Sequence, residues 1–473
     1  MRWQRIVSKW LAVAIVCGTF SGCEVGPNYH RPSAPIPVTY KEMKGWTPAT
    51  PANGLDRRDW WVIYQDPILN RLEEQVQLSN QNIKESEAAY REARAEVREQ
   101  QSALFPTATV APSVEHLKSG KAPPTNTYTL AGSVTWDLDV WGKIRRNIES
   151  SVANAQASAA DLADAQLSAQ TEVATDYFEL RGQDSLQQLL NETVKAYQRS
   201  LQIVQNQYAA GTAARSDVIT AQAQLLSTQA AAVNVGVQRA TFEHAIAMLT
   251  GRPPADLTLP PKSLDAAVPQ IPVAVPSTLL QRRPDIAAAE RQMQQQNALI
   301  GVNVAAFYPD INLSAALNYG GTALGLLFTA SNQVWFLAAS ASETVFEGGQ
   351  RAAAVAAARA VYDNSVANYR QTILTAFQGV EDQLSTLRIL SQQAVVESAA
   401  VEAAQHAVEI SLNEYKAGTV AYTTVITAQA GLLSDQQSAL AVQISRMTAS
   451  VALIKALGGG WNTSGLPFRG SKG

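Results

Sequence analysis

The side chains that could carry chemistry are few and widely spaced. His30, His116, His244 and His406 show no metal-ligand spacing. No nucleophile elbow, phosphate-cradling loop or paired-carboxylate motif is present, and Gly458-Gly459-Gly460 reads as a helix cap and tail rather than a ligand loop. Met43, Met248, Met293 and Met447 are too few and too dispersed for soft-metal handling. The formal net charge of −3, with 16% charged residues, gives no sign of a nucleic-acid partner. The chain therefore reads as neither an enzyme nor a cofactor protein, and its work must lie in shape.

One thiol is the exception. Arg2, Arg5 and Lys9 precede an apolar run from Trp10 to Phe20. At about eleven residues it is too short to span a bilayer and suits a secretory signal. It ends in Phe20-Ser21-Gly22-Cys23, which resembles a bacterial lipobox. Residues 1–22 are then a signal peptide and Cys23 the lipidated mature N-terminus, its covalent lipid being the one non-protein group expected. Cys17 lies inside the signal, so no free thiol remains in the mature chain. Glu24, rather than Asp, follows the cysteine, and by analogy with lipoprotein sorting this favours the outer membrane.

The elements that must position any site come twice. Val218-Ile219-Thr220-Ala221-Gln222-Ala223 recurs as Val425-Ile426-Thr427-Ala428-Gln429-Ala430, at an offset of 207. The same offset relates Tyr208-Ala209-Ala210-Gly211-Thr212 to Tyr415-Lys416-Ala417-Gly418-Thr419, and Gly142 to Gly349. Phe105-Pro106 and Tyr308-Pro309 echo one another at 203. Solenoid units repeat every 20–50 residues or so. A period this long is one large half duplicated in tandem: 63–265 and 266–460, between an N-terminal extension at 23–62 and a tail at 461–473.

Each half reads helix, hairpin, very long helix, tight turn, helix. Pro67 to Ser102 is helical with a solvated, charge-rich face. Strands are expected near 105–117 and 127–140, and near 308–319 and 333–346. In the clearest, Tyr128, Leu130, Gly132, Val134, Trp136, Leu138 and Val140 alternate with polar partners, as on a strand with lipid on one side and water on the other. Ile311, Leu313, Ala315, Leu317 and Tyr319 repeat the pattern; the partner strand alternates less cleanly, with Trp335, Leu337, Ala339 and Ala341 aligned with the lipid-facing set. Ile144 to Tyr208 has no proline and one interior glycine, Gly182, and steps by three or four through Leu186, Leu190, Thr193, Tyr197, Leu201, Val204 and Tyr208. About 65 residues make a rod of roughly 95–100 Å. The second half repeats it from Arg351 to Tyr415, and prolines between Pro253 and Pro276 mark a helix-free linker. No run of about eighteen apolar residues follows the signal, so no transmembrane helix is expected.

Four strands do not close a membrane barrel, which needs at least eight or so. An open edge in lipid leaves backbone groups unpaired at several kcal/mol each. Copies must therefore assemble. Two would give about eight strands around a filled lumen and three about twelve around a channel; the long helices favour three.

Cys23, Val25-Gly26-Pro27-Asn28-Tyr29, Arg31-Pro32, Trp60-Trp61, Phe105-Pro106, Trp141-Gly142-Lys143, Arg282-Arg283-Pro284-Asp285-Ile286 and Phe307-Tyr308-Pro309 together resemble the lipoprotein branch of the outer-membrane factors of tripartite efflux pumps, with the TolC fold. The resemblance implies a mainly α chain with a membrane β-barrel. Its homotrimer would join a twelve-stranded barrel to a twelve-helix periplasmic α-barrel. It also implies two partners besides outer-membrane lipid: a periplasmic adaptor (membrane fusion protein) and an inner-membrane transporter of the resistance-nodulation-division class. The duct would be passive, exporting drugs or other small toxic compounds. Gly211, Thr212, Gly418 and Thr419 are then the adaptor-docking tip. Asp217, with Arg215 and Tyr422 as partners and Thr424 as its repeat equivalent, lies at the periplasmic aperture. A type I secretion duct shares the fold but is generally not lipidated; a structural coiled-coil lipoprotein would leave the strands unexplained.

Cys23→Ser is expected to remove the lipid but not the barrel, because one acyl chain anchors only marginally. Membrane fractionation should still recover the variant with the outer membrane; a wholly soluble periplasmic protein would defeat the barrel assignment.

Overall fold

The computed structural model describes residues 24–44, 46, 59–273 and 276–467. The signal peptide and the lipidation of Cys23 lie outside them. The first helical stretch is two helices, α1 (Pro67–Ser79) and α2 (Gln81–Ser102). Asp66 caps α1 through Ile68 and Leu69 N–H, with Pro67 at the first helical position. The expected single helix breaks at Asn80, which is held extended: its Oδ1 accepts from Ile83 N–H and its Nδ2 donates to the Leu249 carbonyl.

The four strands among the described residues are β1 (Thr107–Leu117), β2 (Thr125–Leu138), β3 (Asp310–Gly321) and β4 (Gln333–Ser342). They form one antiparallel sheet in the order β1-β2-β3-β4. The observed spans differ from expectation by a few residues for local reasons. Phe105-Pro106 and Tyr308-Pro309 stay in the turns that leave the preceding helices. β4 ends at Ser342 because its neighbour β3 begins opposite, at Asp310.

The register sets the faces. Val110, Gly132, Leu317 and Trp335 form one rung, and Ala108, Val134, Ala315 and Leu337 the next on the same face. This face is apolar and uncovered. The other carries Thr109, hydrogen-bonded to Ser133 at 2.6 Å, and Asn312, donating to Asp137 at 2.7 Å. The sheet is thus apolar on one side and polar on the other, as the alternation required.

Below the sheet run α3 (Lys143–Ala209) and α4 (Arg215–Leu249), then α5 (Pro276–Arg282) and α6 (Pro284–Ala305). α7 (Gln350–Lys416) and α8 (Tyr422–Ala456) complete the second half. α3 and α7 each have 67 residues, roughly 100 Å of helix. Both start at a glycine in the left-handed region, Gly142 and Gly349. On α3, Leu190, Tyr197 and Val204 are buried at heptad spacing. At Gly182 α8 leaves no room for a side chain: Ile444 Cδ1 lies 2.3 Å from the position a Cβ would take. α8 is, by length and composition, the one described helix that could cross a membrane, yet it packs along α3 and α7.

The main core sits midway along the rods. Trp60, Trp61, Tyr64, Tyr177, Phe178, Tyr369, Ile373 and Met447 share it. The proline-rich linker is pinned there by ions. Asp184 accepts from Arg181 (2.8 Å), Arg239 (2.7 Å) and Lys262 N–H (3.0 Å), while the two arginines donate to the carbonyls of Pro260 and Leu259. Pro276 is the first residue of α5 rather than part of the helix-free stretch. Pro284 opens α6, and Arg283 pairs with Asp285 at 2.6 Å and donates to the Ala456 carbonyl.

Residues 24–44 form a strap on the outside. Val25 N–H donates to the Trp141 carbonyl (3.2 Å) and Arg146 to Asn28 (2.8 Å), while Arg31 donates to Tyr369 (2.8 Å) and Arg388 to Glu42 (2.5 Å). Gly26, at φ 94°, leaves no room for a side chain: a Cβ would meet Gly301 Cα at 2.4 Å. Gly26→Ala is expected to cost about 2–4 kcal/mol, combining backbone strain with overpacking. Thermal unfolding with limited proteolysis of the strap checks this; a loss under ~0.5 kcal/mol would mean that Gly26 is not held against Gly301.

Candidate functional site

The two hairpins turn by the same device. Gly211 and Gly418 lie at φ 78° and 74°. In the first, Thr212 N–H reaches back to the Gln207 carbonyl at 2.9 Å and Gly211 N–H to Tyr208 at 2.9 Å; in the second, Thr419 reaches Glu414 and Gly418 reaches Tyr415, each at 3.0 Å. This closes the last carbonyls of each long helix. The threonine hydroxyls double the bond, to Gln207 at 3.0 Å and Glu414 at 2.9 Å. Gly211, Thr212, Gly418 and Thr419 are all exposed, and no atom lies within 4 Å of a Cβ built on either glycine. The glycines are there for φ, not for space.

Behind the turns the hairpins pack on each other through Val204, Ala221, Tyr415, Tyr422 and Val425. Tyr197 donates to the Gln429 carbonyl (3.2 Å) and Gln429 to Ser200 (2.8 Å), clasping α3 to α8. The aperture candidates divide. Arg215 and Thr424 are exposed and Asp217 is half-buried. Asp217 stands in the first turn of α4, where a carboxylate faces the positive helix end, and Thr424 holds the same position in α8. Tyr422 is only 3% exposed: its ring lies 5.1 Å from that of Tyr415, inside the hairpin packing rather than on an open wall. Among the described residues no hydrogen bond or ion pair joins Asp217 to Arg215 or Tyr422, although Asp217 acts on both tyrosines by charge.

Tyr415 was missed by sequence reasoning, though it recurs with Tyr208 in the duplicated turn. The signal lay in the difference between the halves: Tyr422 replaces Arg215, so only the second hairpin can stack two tyrosines. Burial, then the neighbouring Tyr415, pushes the Tyr422 phenol up to about 12. Burial and the Asp217 carboxylate raise Tyr415.

The chain matches the outer membrane efflux protein family over residues 72–252 and 275–459, two stretches that coincide with the two halves. It is 28% identical over 462 residues to the toluene efflux pump outer membrane protein TtgC of Pseudomonas putida, covering 95% of each chain. It is likewise 28% identical over 449 residues to the probable outer membrane lipoprotein SilC of Salmonella typhimurium, covering 93% of this chain and 96% of SilC. Its structure is similar to that of the outer-membrane channel OprN, with a TM-score of 0.86 at 28% identity over 93% of this chain and 100% of that one.

The tyrosines predict an alkaline transition at the tip. Folding raises both phenol pKa values, so the neutral rings stabilise the packing fully below the unfolded value near 10 and progressively less as pH rises towards about 12. Hydrogen exchange of the tip amides should accelerate across that window, and Tyr422→Phe should move or remove the acceleration. Exchange independent of pH there, after correction for intrinsic rates, would mean that the phenols are not buried.

Proposed function

Because this chain belongs to the outer membrane efflux protein family, we propose that it is the exit duct of a tripartite efflux system, passing drugs or other small toxic compounds driven by an inner-membrane transporter. The observation that carries this reading is the sheet. Its apolar face suits lipid, both outer edges are unpaired, and it continues directly into hairpins roughly 100 Å long. Strand directions alternate, so β4 of one copy meets β1 of the next antiparallel, and any number of copies keeps the alternation. Three copies give about twelve strands and leave a lumen.

The helices support the same closure. Ile219, Leu226 and Val233 form an exposed heptad stripe on α4, while Val395, Val396 and Ile410 are exposed on α7. A second copy would cover both. Three copies carry six hairpin tips, suiting a six-membered ring of a periplasmic adaptor, with a transporter of the resistance-nodulation-division class beyond it. A lipid on Cys23 would anchor the strap. Tyr415 and Tyr422 hold the resting aperture narrow by packing, and three copies of Asp217 favour cations at the entrance.

Detergent-extracted protein should migrate as a heat-sensitive trimer and conduct in planar bilayers; neither would survive if the duct reading is wrong. Gly418→Trp should abolish drug efflux while the trimer persists, since the strain of a side chain at φ 74° is confined to the exposed turn and the indole would stand where an adaptor docks. Asp217→Ala should lower cation over anion selectivity by about a few-fold, as expected for the loss of three partly screened charges. Normal resistance in the first variant and unchanged selectivity in the second would remove these residues from the entrance.

A further inference from the structure

The duplication specifies a contact that a single chain cannot make. The two hairpins of the sheet have one register: Thr107 pairs with Thr135, and shifting the first by 203 and the second by 207 gives Asp310 and Ser342, which also pair. The offsets first visible in the sequence are therefore the offsets of the fold. Between the hairpins, β2 and β3 meet with Tyr128 opposite Gly321 and Leu138 opposite Ile311.

We infer that the seam between copies repeats the seam between halves, and that its register follows from the offsets. This rests on closure by copies of the chain, as proposed above. Shifting Tyr128 forward by 207 gives Trp335, and shifting Gly321 back by 203 gives Lys118. Trp335 of one copy then lies opposite Lys118 of the next, Ala338 opposite Glu115, and Ser342 opposite Ala111. Face parity survives the transfer: Trp335, Leu337 and Ala339 meet His116, Val114 and their neighbours without putting an apolar row on the polar side. Ala341 falls opposite Pro112, which has no N–H, so one of the two ladders of β1 lacks a rung there. Val345, 94% exposed just beyond β4, falls opposite Ala108, as Leu138 does opposite Ile311 within the chain.

The helices carry the same rule independently. On α8, Ile426, Leu433 and Ile444 are partly buried within the chain, Leu433 with Leu190 and Ile444 against Gly182 of α3. Their equivalents on α4, Ile219, Leu226 and Val237, are 54%, 55% and 60% exposed. α3 covers α8 inside the chain, so α7 of the next copy should cover α4. Gly182 becomes Ile389, itself 53% exposed, and Ile444 becomes Val237. The clasp does not carry over. Tyr197, Ser200 and Gln429 become Ala404, Ala407 and Gln222, so the seam between copies lacks the hydrogen bonds that join the hairpins within one.

Paired cysteines in the full chain test the register. Glu115→Cys with Ala338→Cys should form a disulfide between copies on mild oxidation, because partners in an antiparallel rung lie about 4.5–5.5 Å apart at Cα, within disulfide reach. Ser113→Cys with Ala338→Cys, displaced by two residues, should link at least ten-fold less. Val237→Cys with Ile389→Cys should be joined by a short thiol-reactive cross-linker. A conducting trimer that links only through the displaced pair would overturn the register and leave the duct intact. Absence of any oligomer in all variants and in the parent chain would overturn both.

Discussion

The sheet's unpaired backbone governs everything else. β1 has 11 residues and β4 has 10, and about half of their N–H and C=O groups point outward, away from the chain's own ladders. In hydrocarbon each unmet group costs several kcal/mol, so either edge alone would exceed the roughly 5–15 kcal/mol by which a domain is stable. A lone chain inserted in a bilayer is thus not a stable species. The exposed stripe of α4 and the bare apolar face of the sheet fit the same reading: surfaces that look unfinished in one chain suit the proposed assembly and lipid.

Duplication satisfies this constraint economically, and the two halves depart from it at a few places. The strand registers, the glycine starts of α3 and α7, and the two tip turns are equivalent across the halves. The aromatic pairs are not. Trp141 stacks on Tyr308 at 4.8 Å where the halves join, whereas the position of Trp141 in the second half is Gly348. At the tip, Tyr415 is 6% exposed and its counterpart Tyr208 is 47% exposed. The halves agree in the strand registers and the turns; they differ at the stack where they join and at the packing behind the tips.

Much of this was legible in the residues. Long helices, strand faces and tip glycines are local: proline absence, alternation and a required positive φ write them directly into the chain. The break at Asn80 was not, because it depends on a carbonyl of Leu249 brought there by the fold. The strap was invisible for the same reason. Val25 to Arg31 has no periodicity, and its meaning lies in Trp141, Arg146, Gly301 and Tyr369, all more than a hundred residues away. Among the aperture candidates, the exposure of Arg215 and Thr424 followed from their place in a first helical turn, and Asp217 beside them is half-buried. The burial of Tyr422 followed only from the neighbouring hairpin.

The grip on the long helices is uneven along their length, and this decides where movement belongs. At the strand end, Arg351 donates to Glu343, Glu347 and the carbonyls of Ala306 and Thr344 and lies over the Phe307 ring, while Arg146 holds Glu24, Asn28 and Glu149. At mid-length the largest core and the Arg181–Asp184–Arg239 cluster lock both halves and the linker together. At the tip the apolar cluster is small, five buried side chains with six partly buried ones packed against them. Burying them contributes on the order of 10 kcal/mol, against a conformational entropy cost of about 1–2 kcal/mol per ordered residue across both turns. The tip cluster is far smaller than the mid-length core, and segments of low local stability are the ones that open. The entrance proposed at this end would be unlatched without loosening the wall in the membrane, because some 100 Å of helix separates the two.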